Sequence, residues 1–186
     1  MRFIITGGPG SGKTSVVEAL KKRCEGWPER YYFVTECATE LIEEYQKQGI
    51  KKPTKLVEFQ YKVAEQQKKK EQEIPQGVIA FLDRTMIDTM AYSDDSTLAE
   101  LVINDSKKSN YAPIVFFMEL SREIYRQTEI RQETFEEALE LANRLRLIYK
   151  NIGYHIQDVE QDTIEHRAKD IFWTVRNYLK QKGIIK

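Results

Sequence analysis

Residues 7 to 14 read Gly7-Gly8-Pro9-Gly10-Ser11-Gly12-Lys13-Thr14 and fit the pattern G-x-x-x-x-G-K-[ST]. This octet constrains the fold more than any other feature of the chain. It follows a short apolar β-branched run, Phe3-Ile4-Ile5-Thr6, and precedes a helical pattern, which is the strand-turn-helix setting that a phosphate-wrapping loop requires. The glycines let the backbone fold around a phosphate with its N–H groups turned inward, and the dipole of the following helix adds to the attraction. Lys13 can then reach the β and γ phosphates, and the Thr14 hydroxyl is the expected protein ligand of Mg²⁺. Gly8, Pro9, Gly10, Ser11, Gly12, Lys13, Thr14 and Ser15 are the candidate nucleotide-binding residues. The glycine spacing does not fit the dinucleotide fingerprint, because Lys13 stands where its last glycine is needed.

Further along the chain, strand-like runs at 31–35, 78–82, 114–118 and, more weakly, 154–159 alternate with helical patterns at 15–23, 38–48, 54–72, 88–104 and 133–149. A last helix carries Ile164, Ala168, Ile171, Val175 and Leu179 at three- and four-residue spacing. Alternation of this kind predicts an α/β fold of the three-layer P-loop type, a five-stranded parallel sheet with helices on both faces. The strands are continuous apolar runs, as parallel strands buried on both faces require. At 186 residues the length predicts a single domain spanning 1–186. No repeat or low-complexity linker interrupts it, and the charged run 66–73 reads as a solvated helix end.

Lys plus Arg and Asp plus Glu each number 29, so no net field draws the chain to nucleic acid or to an anionic membrane. Two cysteines, Cys24 and Cys37, are too few for a disulfide framework. The opening residues hold no signal-peptide apolar core, and no run approaches a membrane span. Together these predict a cytoplasmic protein. His155 and His166 lack ligand-spaced partners for zinc. No N-K-x-D guanine reader is present, which favours ATP as the donor, and the chain is short for the helical lid of ring-forming ATPases.

The third predicted strand ends in Asp83-Arg84, with Ala91-Tyr92 beginning seven residues after the arginine. This segment resembles the nucleoside and nucleotide kinases of the P-loop class, above all their thymidylate kinase branch. An Asp at the carboxyl end of a parallel strand lies beside the phosphate loop, where it can hold Mg²⁺, and an adjacent Arg can grip an acceptor. Asp83 could instead cap the next helix. Val34-Thr35-Glu36-Cys37-Ala38 resembles the Pro-Glu segment of deoxynucleoside kinases, with Thr35 in the proline position. The resemblance makes Glu36 the base that faces the acceptor hydroxyl; otherwise it is a first-turn helix carboxylate.

After the fourth strand, residues 121–134 resemble the arginine-bearing lid of the same kinases, with Arg126 and Arg131 the candidates for stabilising the migrating charge and Arg122 a third. Surface pairing with Glu123, Glu129 or Glu133 is the other reading of these arginines. Over nearly its whole length the chain is similar to the small AAA_28-type P-loop ATPases and to the ribosylnicotinamide kinase domain. The resemblance rests on the Gly-Gly-Pro-Gly-Ser-Gly-Lys-Thr loop, Glu36-Cys37-Ala38, Asp83-Arg84 with Asp88, and Arg131. It implies a Mg²⁺-dependent, ATP-using kinase with Lys13, Glu36, Asp83, Arg84, Arg126 and Arg131 in its chemistry and Thr14 and Asp83 on the metal. The acceptor is a small nucleoside- or nucleotide-like molecule. Tyr45, Phe59, Gln60 and Tyr61 stand where such kinases build the acceptor pocket, although Phe59 and Val63 also read as core. The alternative is a slow ATPase that signals to a protein partner.

Overall fold

The computed structural model describes residues 1–50, 56–123, 125–127 and 133–186. Five parallel strands form one sheet in the order β2-β3-β1-β4-β5. The strands are β1 (Arg2–Gly7), β2 (Tyr31–Val34), β3 (Ile79–Asp83), β4 (Tyr111–Met118) and β5 (His155–Val159). The helices are α1 (Lys13–Cys24), α2 (Cys37–Lys47), α3 (Leu56–Gln72), α4 (Ser96–Ser106), α5 (Phe135–Ile152) and α6 (Ile164–Gln181), and a 3₁₀ turn spans Met86–Ala91. The α/β layering expected from the alternating pattern is present.

Side-chain alternation on the central strands divides the core in two. Phe3 and Ile5 of β1 face α1 and α6, where Val16, Leu20, Ile171, Phe172 and Val175 close one apolar layer. Ile4 points the other way, toward Leu98 and Val102 of α4, Leu145 and Tyr149 of α5, and the 3₁₀ turn. A smaller cluster of Cys37, Leu41, Phe59 and Val63 joins α2 to α3, so Phe59 belongs to the core. β5 lies at the margin of the sheet and exposes His155, Gln157 and Asp158, polar residues that discourage pairing with another chain.

Register is what assembles the site. Ile5 pairs with Asp83 and Val34 with Leu82, so the loop after β1, the end of β3 and the start of α2 meet at the carboxyl end of the strands. Gly7 pairs with Met118, which brings the segment after β4 to the same place. In open α/β sheets this end of the strands is where ligands bind.

Two elements depart from the sequence pattern. The single helix predicted at 88–104 is divided into the 3₁₀ turn and α4. Both pieces carry their own cap: Thr85 accepts from the Ile87 amide at 3.2 Å, and Asp95 accepts from the Leu98 amide at 2.7 Å. The apolar periodicity ran on through the break, in which the 3₁₀ turn ends at Ala91 and Asp95 starts the next helix. β4 also begins before the expected position and contains Pro113, which falls where the register jumps between the pairs Arg2–Tyr111 and Ile4–Val115. A proline can occupy an interior strand at such an irregularity, because no ladder donor is needed there. The start of the helix predicted at 54–72 lies outside the described residues, and its remainder forms α3. Among the described residues no helix is long and apolar enough to cross a membrane.

Phe81 is fully buried, with ring centroids 5.4 Å from Phe33, 6.1 Å from Phe3 and 6.2 Å from Tyr31. Phe81→Ala should therefore destabilise the fold by about 3–5 kcal/mol in urea unfolding, from lost transfer energy plus the cavity left behind. A loss below about 1 kcal/mol would show that this layer can collapse around the gap.

Candidate active site

Gly7 and Gly8, where β1 passes into the loop before α1, are packed too closely for side chains. A Cβ on Gly7 would lie 2.5 Å from the Met118 carbonyl oxygen, and one on Gly8 would lie 2.8 Å from the carbonyl oxygen of Ala138 on α5. Within the loop the Lys13 ammonium donates to the carbonyls of Gly7 at 3.0 Å and Gly8 at 2.9 Å, and to the Ser11 hydroxyl at 3.3 Å. Arg167 of α6 braces the loop from behind, its Nη1 donating to the Ser11 carbonyl at 3.0 Å.

Next to the loop, the Thr14 hydroxyl donates to Asp83 Oδ2 at 2.9 Å. Asp83 is 1% exposed, and its other oxygen, Oδ1, is buried without a hydrogen-bond partner. A buried carboxylate oxygen with no donor is a costly arrangement that a cation would relieve. Thr14 and Asp83 thus fit a hard cation, and among the described residues no cluster of three or more His, Cys, Asp or Glu offers an all-protein metal cage. Any cation here would complete its shell with oxygens of phosphate and water, the habit of Mg²⁺.

Arg84 occupies the centre of the acidic side. Its Nε donates to Glu36 Oε1 at 2.7 Å and its Nη1 to Asp88 Oδ1 at 3.1 Å. The Arg84 backbone lies in the left-handed region, φ 71°, which side-chain-bearing residues seldom adopt. It is held there by its amide, which donates to the Ile5 carbonyl at 3.0 Å, and by its carbonyl, which accepts from Gln67 Nε2 at 3.3 Å. Glu36 precedes α2, and its Oε2 accepts from the Thr39 hydroxyl at 3.2 Å.

The charges in this cluster reshape one another. Burial, helped by the charge of Arg84 and opposed by Glu36, Asp83 and Asp88, brings Lys13 down to about 8. Burial and the negative charge of Glu36 push Asp83 up to about 6 against the pull of Lys13 and Arg84. For Glu36, burial works toward protonation, but the charges of Arg84 and Lys13 and the hydrogen bonds from Arg84 and Thr39 outweigh it, so its carboxyl titrates below the usual range. Mutually displaced titration of this kind beside a phosphate loop is what singles these groups out as candidates for a functional site.

The structure brings together Lys13, Thr14, Glu36, Asp83 and Arg84. Arg126 is exposed and donates through Nη1 to the carbonyls of Glu123 and Tyr125 in its own segment. Arg122 pairs with Glu136 at 2.6 Å on the surface. Arg131 lies outside the described residues, as does part of the segment 121–134. Tyr61 turns to Asp95, its hydroxyl donating at 3.0 Å, while Gln60 is buried on α3. Sequence reasoning did not find Thr6, Tyr149 or Arg167. Asp88 offered a signal, since a buried arginine needs counter-charges and Asp88 stands four residues beyond it. Arg167 gave none, being separated from the loop by 156 residues.

Comparison with known proteins identifies a family and a shared fold. The family model AAA_28, described as an AAA domain, matches residues 2–167. No curated protein matches. Among solved structures, a deoxyadenosine kinase from M. mycoides with products dCMP and a flexible dCDP bound is similar with a TM-score of 0.68 and 16% identity, covering 95% of this chain and 100% of that one. The same kinase with bound dCTP gives a TM-score of 0.61 at 16% identity with the same coverage. The likeness is one of fold.

Because Asp83 binds its proton more tightly when folded than its ordinary value of 3.8 allows, the ligand-free protein should lose stability as pH rises from about 4 through about 6. Asp83→Asn removes that penalty. It should raise stability at pH 7 by about 1–3 kcal/mol and give little gain near pH 4, as measured by thermal unfolding at both values. Equal or lower stability at both would mean that the buried carboxylate is not strained.

Proposed function

The chain belongs to the AAA_28 family of AAA domains, and on that footing we propose that it is a Mg²⁺-dependent phosphotransferase that moves the γ-phosphate of ATP to a small nucleoside- or nucleotide-like acceptor. The observation that carries this reading is the Glu36–Arg84 pair, 2.7 Å apart, at the same end of the sheet as Lys13 and Asp83. A slow hydrolytic switch would share the phosphate loop, Asp83 and the arginines but has no acceptor hydroxyl for Glu36 to serve, whereas transfer to an acceptor uses Glu36 as well. The fold shared with a nucleoside kinase supports the acceptor class.

In this reading the loop amides of 8 and 10–15 and the Lys13 ammonium hold the donor phosphates, and Thr14 and Asp83 hold the cation. Bound Mg²⁺ would neutralise charge between the β and γ phosphates. Glu36, ionised at neutral pH, accepts the proton of the acceptor hydroxyl as its oxygen bonds to the γ phosphorus. The bond from that phosphorus to the bridging oxygen breaks and ADP departs. Arg84 orients Glu36 and faces the acceptor, while Arg126 and Arg131 belong to the segment that would bring further positive charge to the migrating group.

The test follows labelled γ-phosphate of ATP with Mg²⁺, alone and against nucleosides, nucleoside monophosphates and ribosylnicotinamide. Label should move to one acceptor; label released only as inorganic phosphate, whatever is added, would favour the ATPase switch. Lys13→Ala should abolish transfer with the fold retained. Glu36→Gln should lower kcat by about a hundredfold or more while ATP affinity changes less than about threefold. Equal losses in both would remove Glu36 from the role of base.

A further inference from the structure

Asp88 is 3% exposed, and both of its oxygens are engaged. Oδ1 accepts from Arg84 Nη1 at 3.1 Å and from the Thr6 hydroxyl. Oδ2 accepts from the Thr85 amide at 3.0 Å and from the Tyr149 hydroxyl at 2.6 Å. The carboxylate therefore cannot turn without breaking several bonds, and the guanidinium resting on it inherits that fixed orientation. The donors come from three places in the fold. Thr6 immediately precedes the phosphate loop, Thr85 opens the 3₁₀ turn, and Tyr149 reaches in from α5, 61 residues away in sequence.

Tyr149 is fully buried in the core layer formed by α4, α5 and the 3₁₀ turn, with its ring 5.6 Å from that of Tyr154. Packing alone would be met by phenylalanine, which brings no hydroxyl to desolvate. The hydroxyl is used twice, on Asp88 and at 2.9 Å from the Thr85 hydroxyl. We propose that Tyr149 and Asp88 form a positioning unit for Arg84, through which α5 and the strand before the phosphate loop together set where the guanidinium points. The proposal rests on the phosphotransferase reading only in assigning Arg84 to the acceptor side. The unit touches neither donor nor acceptor, and its effect passes through Arg84.

A purely structural role would lower stability and leave turnover and Arg84 alone, so the test uses two readouts that such a role does not move. In the transfer assay, Tyr149→Phe should lower kcat about tenfold with KM for ATP within about twofold, and Asp88→Asn should lower it further. Thr6→Ser, which keeps the hydroxyl, should retain most of the turnover that Thr6→Val loses. The second readout needs no turnover. The Nε–H of Arg84, identified in ¹⁵N spectra by its loss in Arg84→Lys, should exchange with water at least about threefold faster in Tyr149→Phe than in the wild-type protein, while core amides such as that of Leu82 keep their protection. Tyr149→Phe is the decisive variant if Asp88→Asn fails to fold. Wild-type kcat in Tyr149→Phe, or unchanged Arg84 exchange, overturns the proposal. Should no acceptor be found, the phosphotransferase reading fails, and the exchange measurement alone decides this one.

Discussion

Arg84 is a buried cation held between two carboxylates, Glu36 and Asp88, with a third, Asp83, beside it in sequence. Removing such charges from water carries a penalty that mutual attraction repays only when geometry is fixed and the remaining polar groups are satisfied. The surrounding elements supply that geometry. β1 offers the Ile5 carbonyl to the Arg84 amide and the Thr6 hydroxyl to Asp88, α3 offers Gln67 to the Arg84 carbonyl, and α5 offers Tyr149. The left-handed backbone at Arg84 persists because so many partners determine it at once. The contrast with Asp83 is informative, since its Oδ1 is the buried carboxylate oxygen left without a donor beside the phosphate loop. The two carboxylates that hold Arg84 are satisfied within the chain, whereas Asp83 is satisfied at one oxygen only.

How far the site was legible in the sequence depended on how its residues are brought together. The phosphate loop is local: eight consecutive residues contain their own geometry, so Lys13 and Thr14 could be read directly. Asp83 and Glu36 were readable because parallel strands deliver their carboxyl ends to one place, and the pairs Ile5–Asp83 and Val34–Leu82 carry out that delivery. Tyr149 and Arg167 were not readable. Tyr149 lies on a helix whose apolar spacing already accounts for it as core, Arg167 reads as one charged residue beside an apolar face, and the polar end of each finds its partner 61 or 156 residues away. Periodicity shows which face of a helix is buried, and it cannot show which buried residue carries a hydroxyl or guanidinium to a distant carboxylate or carbonyl.

The divided helix after β3 has the same origin. Apolar spacing over 88–104 fits one helix, yet Asp88 must turn inward to receive Arg84, Thr6 and Tyr149. A tight 3₁₀ turn capped by Thr85 places that carboxylate beneath the strands, and the chain then restarts as α4 at Asp95. Here tertiary contacts to Asp88 overrode a local preference. Such conflicts between local pattern and structure are expected where function resides.

The depressed titration of Glu36 bears on what a carboxylate in this position can contribute. The positive charges that hold it ionised also make it a weak base, so it cannot gain much by removing a proton early. Phosphoryl transfer does not require that. In a loose transition state the attacking hydroxyl surrenders its proton late, when the new bond has made it acidic, and the barrier depends mainly on alignment and charge. A carboxylate fixed at 2.7 Å by Arg84 meets that need through position more than through basicity. Under the phosphotransferase reading Arg84 therefore acts in two ways that reinforce each other. It keeps Glu36 unprotonated at neutral pH, and it fixes the direction in which the acceptor hydroxyl must present its hydrogen.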